Sequence, residues 1–303
     1  MSTRSGYVAI VGAPNVGKST LLNRILGSAL SIATPKPQTT RERIAGVLNL
    51  PEAQVVLVDT PGVCEARNAL DRHMAGQIRL ALADVDLVVL VTEASAALER
   101  VPRPEEKLLL DTIGGDGKPL FLALNKIDLV RPKSRLLPLI ERWNQCASPA
   151  QLIPISAHSG DGVAELVRAV IPLLPEGPRY FPDDVLTDRT ERFLVAEKVR
   201  EHVFLCAREE VPYASAVAIE RFEERLARGD VVVEAAIYVE RESQKRILVG
   251  KGGSMIRQIG MRARMGASEL LGRPVHLKIE VRVAPGWRRD PTALERLGYG
   301  EWA

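Results

Sequence analysis

Cysteine is scarce in this 303-residue sequence, and its three cysteines, Cys64, Cys146 and Cys206, lie far apart without a CxxC pair. A small domain held by disulfides, or a cysteine zinc site, needs cysteines at closer and more regular spacing. The sequence therefore excludes both kinds of framework. It is typical of a protein that works in a reducing compartment.

Long apolar runs are also lacking. The first one, residues 7–11, is too short for the core of a signal peptide, and no stretch approaches the roughly 20 apolar residues of a membrane span. We therefore expect a soluble, cytoplasmic protein. Since 46% of the residues are hydrophobic, a chain of this length can still bury the cores of two ordinary domains.

Net charge is small as well, at +3, which argues against a polybasic binder as a whole. The charge is unevenly distributed, however. Residues 241–289 contain 12 lysines and arginines against 3 acidic residues. A local surplus of this kind predicts a polyanionic partner, although a solvated charged helix face is the alternative.

Short apolar runs alternate with helical patterns in the first half of the chain. Continuous apolar strands between helices predict a parallel sheet that is covered on both faces. We predict a doubly wound, mostly parallel, six-stranded α/β domain over residues 1–174. Its strands are expected near 7–11, 55–59, 86–91, 119–125 and 151–156, with an added edge strand at 44–50.

The pattern changes after a segment rich in proline and charge, residues 175–188, which we interpret as a linker. Residues 189–210 predict a long amphipathic helix, and 214–224 and 231–240 predict strands. Strict alternation over 275–283 predicts a half-exposed strand. Residues 189–303 should therefore form a smaller α+β domain.

The segment GAPNVGKS matches the phosphate-binding pattern GxxxxGKS/T between a strand and a helix. Backbone N–H groups of such a loop surround phosphate oxygens, the lysine reaches the terminal phosphates and the serine hydroxyl can bind Mg²⁺. Alone, this motif indicates only a nucleoside triphosphate. The candidate phosphate-binding residues are Gly12, Asn15, Val16, Gly17, Lys18, Ser19 and Thr20.

DTPG at 59–62 follows the strand 55–59. An acid at the tip of a buried strand suits Mg²⁺, so Asp59 is predicted to act with Ser19 on the metal, and the Gly62 N–H to meet a γ-phosphate. The segment between Gly27 and the edge strand predicts a loop that orders with the triphosphate. Thr40 is the preferred third Mg²⁺ ligand, with Thr39 as the rival. These two threonines, Asp59 and Val63 form the predicted switch.

A water-orienting glutamine is missing, since Val63 occupies the position just after DTPG where Ras-type GTPases carry it. Valine cannot hydrogen-bond, so unaided hydrolysis should be slow and the catalytic side chain is unknown. A backbone-held water, a monovalent cation or an external partner are the alternatives. Asn15 could give an oxygen to K⁺, or simply stabilise its loop.

NKID at 125–128 decides between the bases. A carboxylate at Asp128 can accept two hydrogens from the N1/N2 edge of guanine, and adenine offers no such pair. We therefore predict GTP and GDP as ligands. The predicted guanine-binding residues are Asn125, Lys126, Asp128, Ser156 and Ala157, with a backbone N–H near the last two reaching the guanine oxygen.

GKGG at 250–253 lacks the spacing of a second nucleotide loop. It is interpreted as a GxxG loop between a strand, Arg246 to Val249, and a helix that begins near Ser254. Such loops clamp the backbone of single-stranded nucleic acid, and apolar neighbours hold the bases. The predicted RNA-binding residues are Gly250, Lys251, Gly252, Gly253, Ile256 and Arg257, with Arg262 and Arg264 adding positive charge. A plain glycine turn is the alternative.

Taken together, GAPNVGKS, KPQTTRERI, DTPG, NKID, SA and LVGKGGSMIRQIG resemble the bacterial Era GTPase family over nearly the whole chain. The resemblance implies a GTPase domain followed by a type II KH domain. It also implies binding of the 3′ end of 16S rRNA, maturation of the 30S subunit and stimulation by RNA. It further implies that a fraction of the protein molecules associates peripherally with the inner membrane. We expect a monomer and no DNA partner.

Two other functions stay open. A GTPase of the tRNA-modification or tandem-domain assembly kind shares the TTR and DTPG features, although a single phosphate loop and the GxxG segment argue against it. A constitutive RNA-binding protein or chaperone with a purely structural nucleotide is the other. A constitutive RNA-binding protein would bind RNA equally well with GDP and with a GTP analogue, whereas a switch would not.

Overall fold

The computed structural model describes residues 3–63, 65–94, 101–114 and 117–300. Cys64, one of the three separated cysteines, lies outside these ranges, and Cys146 and Cys206 form no disulfide with each other. Across the described ranges, none of the helices combines the length and the apolar character that crossing a membrane requires.

Strands and helices alternate in the first half of the chain. The strands are β1 (Arg4–Val11), β2 (Ile44–Asn49), β3 (Ala53–Asp59), β4 (Leu87–Glu93), β5 (Leu120–Asn125) and β6 (Gln151–Pro154). The α-helices in the described part of this half are α1 (Lys18–Leu26), α2 (Ala69–Ala83), α3 (Pro104–Ile113), α4 (Leu136–Ala147) and α5 (Val163–Val170).

These strands form one sheet in the order β2-β3-β1-β4-β5-β6, parallel except for the antiparallel β2–β3 pair. Every residue of β3 is buried, as the apolar run at 55–58 requires when both faces of a sheet are covered. The prediction of a doubly wound sheet with an added edge strand is confirmed. Its parallel strands all end at one edge, so the loops that carry the motifs lie together.

Residues 175–188, predicted as a linker, are packed against this first unit. The N–H of Ser5 donates to the carbonyl of Pro175 at 3.0 Å, and Gln54 Oε1 accepts from the N–H groups of Tyr180 and Phe181 at 2.7 and 3.0 Å. The rings of Tyr7 and Tyr180 lie 5.2 Å apart. The proline-rich segment is thus held against the sheet by these contacts. The first compact unit therefore extends to Asp188.

The second unit comprises Arg189 onward together with Ala66–His73. Its strands in the described residues are β7 (Ala216–Arg225), β8 (Asp230–Val239) and β9 (Val275–Val283), and its helices are α6 (Glu191–Cys206), α7 (Glu242–Val249), α8 (Ser254–Leu271) and α9 (Pro291–Arg296). The sheet order is β7-β8-β9, antiparallel then parallel. Apolar residues of α6 and α8 pack on one face of the sheet, which matches the predicted α+β unit.

One predicted element is wrong. Arg246–Val249 was expected to be a strand, but these residues form the end of helix α7. The Gln244 side chain caps the start of that helix, because its Oε1 accepts from the N–H groups of Glu240 and Arg241 at 3.0 and 3.1 Å. Leu248 is fully buried in the core. An apolar run of four residues is too short to show a period, so tertiary packing decides its conformation.

Candidate functional site

The phosphate loop connects β1 to α1 through backbone that only glycine accommodates. Gly17 has a φ of 101°, and a Cβ on Gly12 would lie 2.3 Å from the carbonyl oxygen of Val91. Lys18 opens α1 and donates from Nζ to the carbonyl oxygens of Gly12 and Ala13, at 3.1 Å each. The lysine therefore curls back over the loop, as a lysine must in order to reach a terminal phosphate.

Burial changes the proton affinity of Lys18. The residue is only 6% exposed, and desolvation lowers the pKa of its ammonium group to about 8, although the nearby Asp59 carboxylate opposes the change. An anionic phosphate would favour the charged form again. The Asp59 carboxylate alone does not offset the burial of this ammonium group, and a bound phosphate would add the missing negative charge.

Asp59 lies at the end of β3, fully buried, and hydroxyl groups from separate segments surround it. Its Oδ2 accepts from Ser19 Oγ and Ser31 Oγ at 2.7 Å each and from Thr40 Oγ1 at 3.4 Å. Ser19 Oγ and Thr40 Oγ1 are 3.0 Å apart. Its other carboxylate oxygen, Oδ1, is buried without a hydrogen-bond partner. Burial raises the pKa of Asp59, while Lys18 and the three hydroxyls oppose that rise.

This cluster distinguishes between Thr40 and Thr39, the two candidates for the third Mg²⁺ ligand. Both threonines line the groove, but Thr40 is buried beside Asp59, whereas Thr39 is not among the hydrogen-bond partners of that carboxylate. Ser19, Thr40 and Asp59, predicted as Mg²⁺ ligands from three distant positions, are therefore brought together. Oxygen donors with one unpartnered carboxylate oxygen are the chemistry that Mg²⁺ prefers, so the residues fit that ion.

DTPG packs tightly on the phosphate loop. A Cβ on Gly62 would lie 2.9 Å from three atoms of Pro14, which explains why glycine stands there. The N–H of Val63 donates to the carbonyl of Gly12 at 3.4 Å, and the valine side chain is buried in the core of the sheet. Val63 is therefore a packing residue, and no side chain at this position orients water.

The NKID and SA segments are linked through Asn125, which is 2% exposed. Its Nδ2 donates to the carbonyl of Val16 at 2.7 Å, and its Oδ1 accepts from the N–H of Ala157 at 2.9 Å. The N–H expected near guanine thus has a protein partner. Val16 itself is fully buried, so it contributes only this backbone oxygen to the linkage.

Asp128 and Lys126 are each held by one neighbour. Asp128 Oδ1 accepts from Ser156 Oγ at 2.7 Å, which fixes the plane of the carboxylate. Lys126, in a left-handed conformation with φ of 63°, donates from Nζ to Glu93 Oε2 at 2.7 Å. Glu93 was not predicted from the sequence, because a single acid after an apolar strand carries no motif.

These segments border one open groove of about 490 Å³. Asn15 stands at its rim, with φ of 63°, and donates from Nδ2 to the carbonyl of Pro35 at 3.1 Å. This contact agrees with a loop-stabilising role for Asn15. Other predicted residues that line the groove are Gly17, Lys18, Ser19, Thr20, Thr39, Thr40, Gly62 and Lys126.

Sequence reasoning missed several residues that line the groove or support the residues around it. Arg24 of α1 donates from Nε to the carbonyl of Ala157 at 3.1 Å and from Nη2 to that of His158, so it braces the SA segment. His158 lines the groove directly. Ser31 was missed too, because a serine within a polar loop gives no signal until the fold places it beside Asp59.

The second candidate site lies in the other unit, where the GxxG loop joins α7 to α8. Gly250, Gly252 and Gly253 have φ values of 72°, 59° and 76°. Lys251 is exposed at the tip. Arg257 donates to the carbonyls of Gly252 and Gly253, so it braces the loop as well as adding charge.

An open groove of about 330 Å³ runs beside this loop between α8 and β9. Arginine and apolar side chains line it together. Ile256 and Arg257 were predicted, whereas Met261, Leu277 and Ile279 were not assigned to it from the sequence. Those residues become neighbours only because β9 pairs at the edge of the sheet beside α8, a long-range contact that local pattern does not reveal.

Comparison with known proteins shows the family to which the chain belongs. A family model described as "50S ribosome-binding GTPase" matches residues 7–126, and one described as "KH domain" matches residues 210–288. GTPase Era of Geobacter metallireducens is 47% identical over 98% of both chains. The chain belongs to the Era family of GTPases. It is thus a GTP hydrolase with a C-terminal KH domain, which confirms the predicted family, fold class and enzyme activity.

Solved Era structures agree with the whole chain. An Era variant of Aquifex aeolicus bound to GDP and AlF₄⁻ is 40% identical with a TM-score of 0.93, covering 99% of this chain and 100% of that one. An Era in complex with MgGDPNP and nucleotides 1506–1542 of 16S ribosomal RNA has the same sequence identity, TM-score and coverage of the two chains. Era membership decides against the tRNA-modification and tandem-domain GTPases.

We predict that Asp128→Asn changes the base preference of this Era-family protein. The amide would place a donor against the N1 and N2 hydrogens of guanine, while xanthine offers an oxygen at position 2. Loss of a paired, charged hydrogen bond should weaken GDP about 100-fold and favour xanthosine diphosphate. Competition against a fluorescent nucleotide measures both affinities. Asp161→Asn, a nearby exposed acid, is the matched control. An unchanged base preference would contradict the guanine assignment.

Proposed function

We propose that this Era-family GTPase is a GTP-controlled switch that binds 16S rRNA near its 3′ end and assists assembly of the 30S subunit. The observation that carries the proposal is the presence of two different grooves in one chain. One is lined by Lys18 and by Ser19 and Thr40, whose hydroxyls contact the buried Asp59, and the other is basic, apolar and beside a GxxG loop. The relative that is bound to both MgGDPNP and 16S rRNA supports the pairing.

In the first groove, the phosphate loop and Lys18 would hold the phosphates, and Asp128 with the SA segment would hold guanine. Ser19, Asp59 and, with the triphosphate, Thr40 would hold Mg²⁺, which supplies positive charge to the phosphate oxygens. The short distance between Ser19 and Thr40 supports a shared metal. In this account the γ-phosphate orders the segment around Thr40, and hydrolysis releases it.

The water-activating group is not Val63, because that side chain is buried in the core. We propose that K⁺, bound by Oδ1 of Asn15, supplies the positive charge that an arginine provides in other GTPases. The Nδ2 atom of Asn15 already donates to Pro35, so the remaining terminal atom is a carbonyl oxygen of the kind that binds K⁺.

This cation hypothesis predicts faster GTP hydrolysis in KCl than in NaCl at equal ionic strength. Asn15→Ala should remove the difference while GTP at saturating concentration still binds. Phosphate release under single-turnover conditions measures the chemical step separately from product release. Equal rates of the unsubstituted protein in the two salts would eliminate K⁺ and leave a backbone-held water or a partner.

In the second groove, the GxxG loop would clamp the sugar–phosphate backbone of an unpaired RNA strand. Ile256 and the apolar residues of β9 would contact bases, and the arginines of α8 would supply counter-charge. We propose an unpaired strand as the ligand and no DNA partner. Because positive side chains contribute, RNA affinity should fall with salt.

We predict that a variant with both Lys251→Asp and Gly252→Asp loses at least about 100-fold in affinity for single-stranded RNA. Two negative charges would then face the phosphates. Gly252 has a left-handed φ that aspartate tolerates, and no atom lies within 4 Å of its added Cβ, so the loop should still form. Fluorescence anisotropy with a labelled oligonucleotide measures the loss, and GTP affinity should stay intact.

Gly272→Asp is the matched control for that variant. Gly272 also has a left-handed φ and open space, but it ends α8 far along the helix from the loop. The control should bind RNA normally. Undiminished RNA affinity of the doubly substituted protein would contradict the proposed interface.

The remaining partners are proposals that rest on the family resemblance. We propose that the protein is a cytoplasmic monomer whose GTPase activity rises when RNA binds, and that a fraction of it associates peripherally with the inner membrane. The small subunit is favoured as the assembly partner, because the rRNA in the related complex is 16S.

A further inference from the structure

Ser31 has no role in the site as described so far, yet its hydroxyl is one of the three that contact the Asp59 carboxylate. It donates to Asp59 Oδ2 at 2.7 Å, as closely as the hydroxyl of Ser19 does. Ser31 is 1% exposed and, unlike Ser19 and Thr40, does not line the nucleotide groove. It therefore approaches the carboxylate from the protein side.

Helix α1 fixes the backbone of Ser31 at two points. Asn23 Oδ1 accepts from the N–H of Ser31 at 2.9 Å, and Asn23 Nδ2 donates to the carbonyl of Ser31 at 2.8 Å. Asn23 lies four residues after Ser19, so both side chains project from the same side of α1. One helix thus positions both hydroxyls that hold Asp59 at 2.7 Å.

The two oxygens of the Asp59 carboxylate differ in consequence. Oδ2 accepts all three hydroxyl hydrogen bonds, and Oδ1 is buried without a partner. We propose that Ser31 is a positioning residue for Mg²⁺: by holding Oδ2 it fixes the carboxylate so that Oδ1 stays available to the metal or its waters. This inference rests on the proposed nucleotide site.

Ser31 suits this task better than the other two hydroxyls. Ser19 and Thr40 are themselves proposed metal ligands, so the hydroxyl oxygen of each would be engaged by the metal, and that of Thr40 only with the triphosphate. The position of Ser31 depends instead on the carboxamide of Asn23. Residues that orient a metal ligand commonly change metal affinity 10- to 100-fold when they are removed, which gives roughly the effect to expect.

The test uses the full chain and a fluorescent GDP, with Mg²⁺ as the titrant. In Ser31→Ala, the Mg²⁺ concentration that half-maximally slows GDP release should rise about tenfold, and high Mg²⁺ should restore slow release. GDP affinity in excess EDTA should not change, because Ser31 acts through the metal. Asn23→Ala should shift the Mg²⁺ dependence in the same direction by a smaller factor, since it loosens Ser31 without removing its hydroxyl.

Ser28→Ala is the matched control, because its hydroxyl lies in the same loop and is not among the partners of Asp59. It should behave like the unsubstituted protein. An unchanged Mg²⁺ dependence in Ser31→Ala would overturn the inference, and so would an equal loss of GDP affinity in EDTA, which would indicate a merely structural role. If Mg²⁺ fails to slow GDP release from the unsubstituted protein, the proposed metal site itself is wrong.

Discussion

The buried carboxylate of Asp59 is the constraint on which the nucleotide site depends. A charge without solvent is costly unless other groups compensate it, so the chain must bring donors to this point. Lys18 and Ser19 come from α1, Ser31 from the loop after it, and Thr40 from the segment before β2. A single buried group thereby determines where three separate segments lie.

Asn125 plays a similar organising role for the segments proposed to bind the guanine base. It connects the phosphate loop to the SA segment through two hydrogen bonds made by one side chain. Because β1, β3 and β5 run parallel, their carboxyl ends meet at one edge, and these contacts need only short loops. Asn125 and Asp59 thus hold together the loops that border the groove, and the segments near Thr39 and Pro35, which line it, are those left to respond to a ligand.

The sequence predicted the elements whose signals are local. Apolar runs identified the strands of the first sheet, strict alternation identified β9, and fixed spacing identified the phosphate loop and NKID. Contacts between distant segments were not predictable. Ser31 gains its place only through Asn23 and Asp59, Leu277 enters the second groove only through sheet pairing, and Leu248 makes 246–249 helical by packing. Residues 175–188 showed a linker composition, but Gln54 and Tyr7 hold them on the sheet.

We propose that the second unit makes the protein more than a GTP hydrolase, because its RNA affinity depends on the nucleotide. A ligand shifts such an equilibrium only by its different affinity for the two states, typically about 5- to 150-fold. The most direct measurement is the dissociation constant of a 16S 3′-end oligonucleotide with saturating GDP and with a non-hydrolysable GTP analogue. We expect tighter binding, by at least about fivefold, with the analogue. Equal affinities would contradict it and would favour a constitutive RNA-binding protein whose nucleotide is structural.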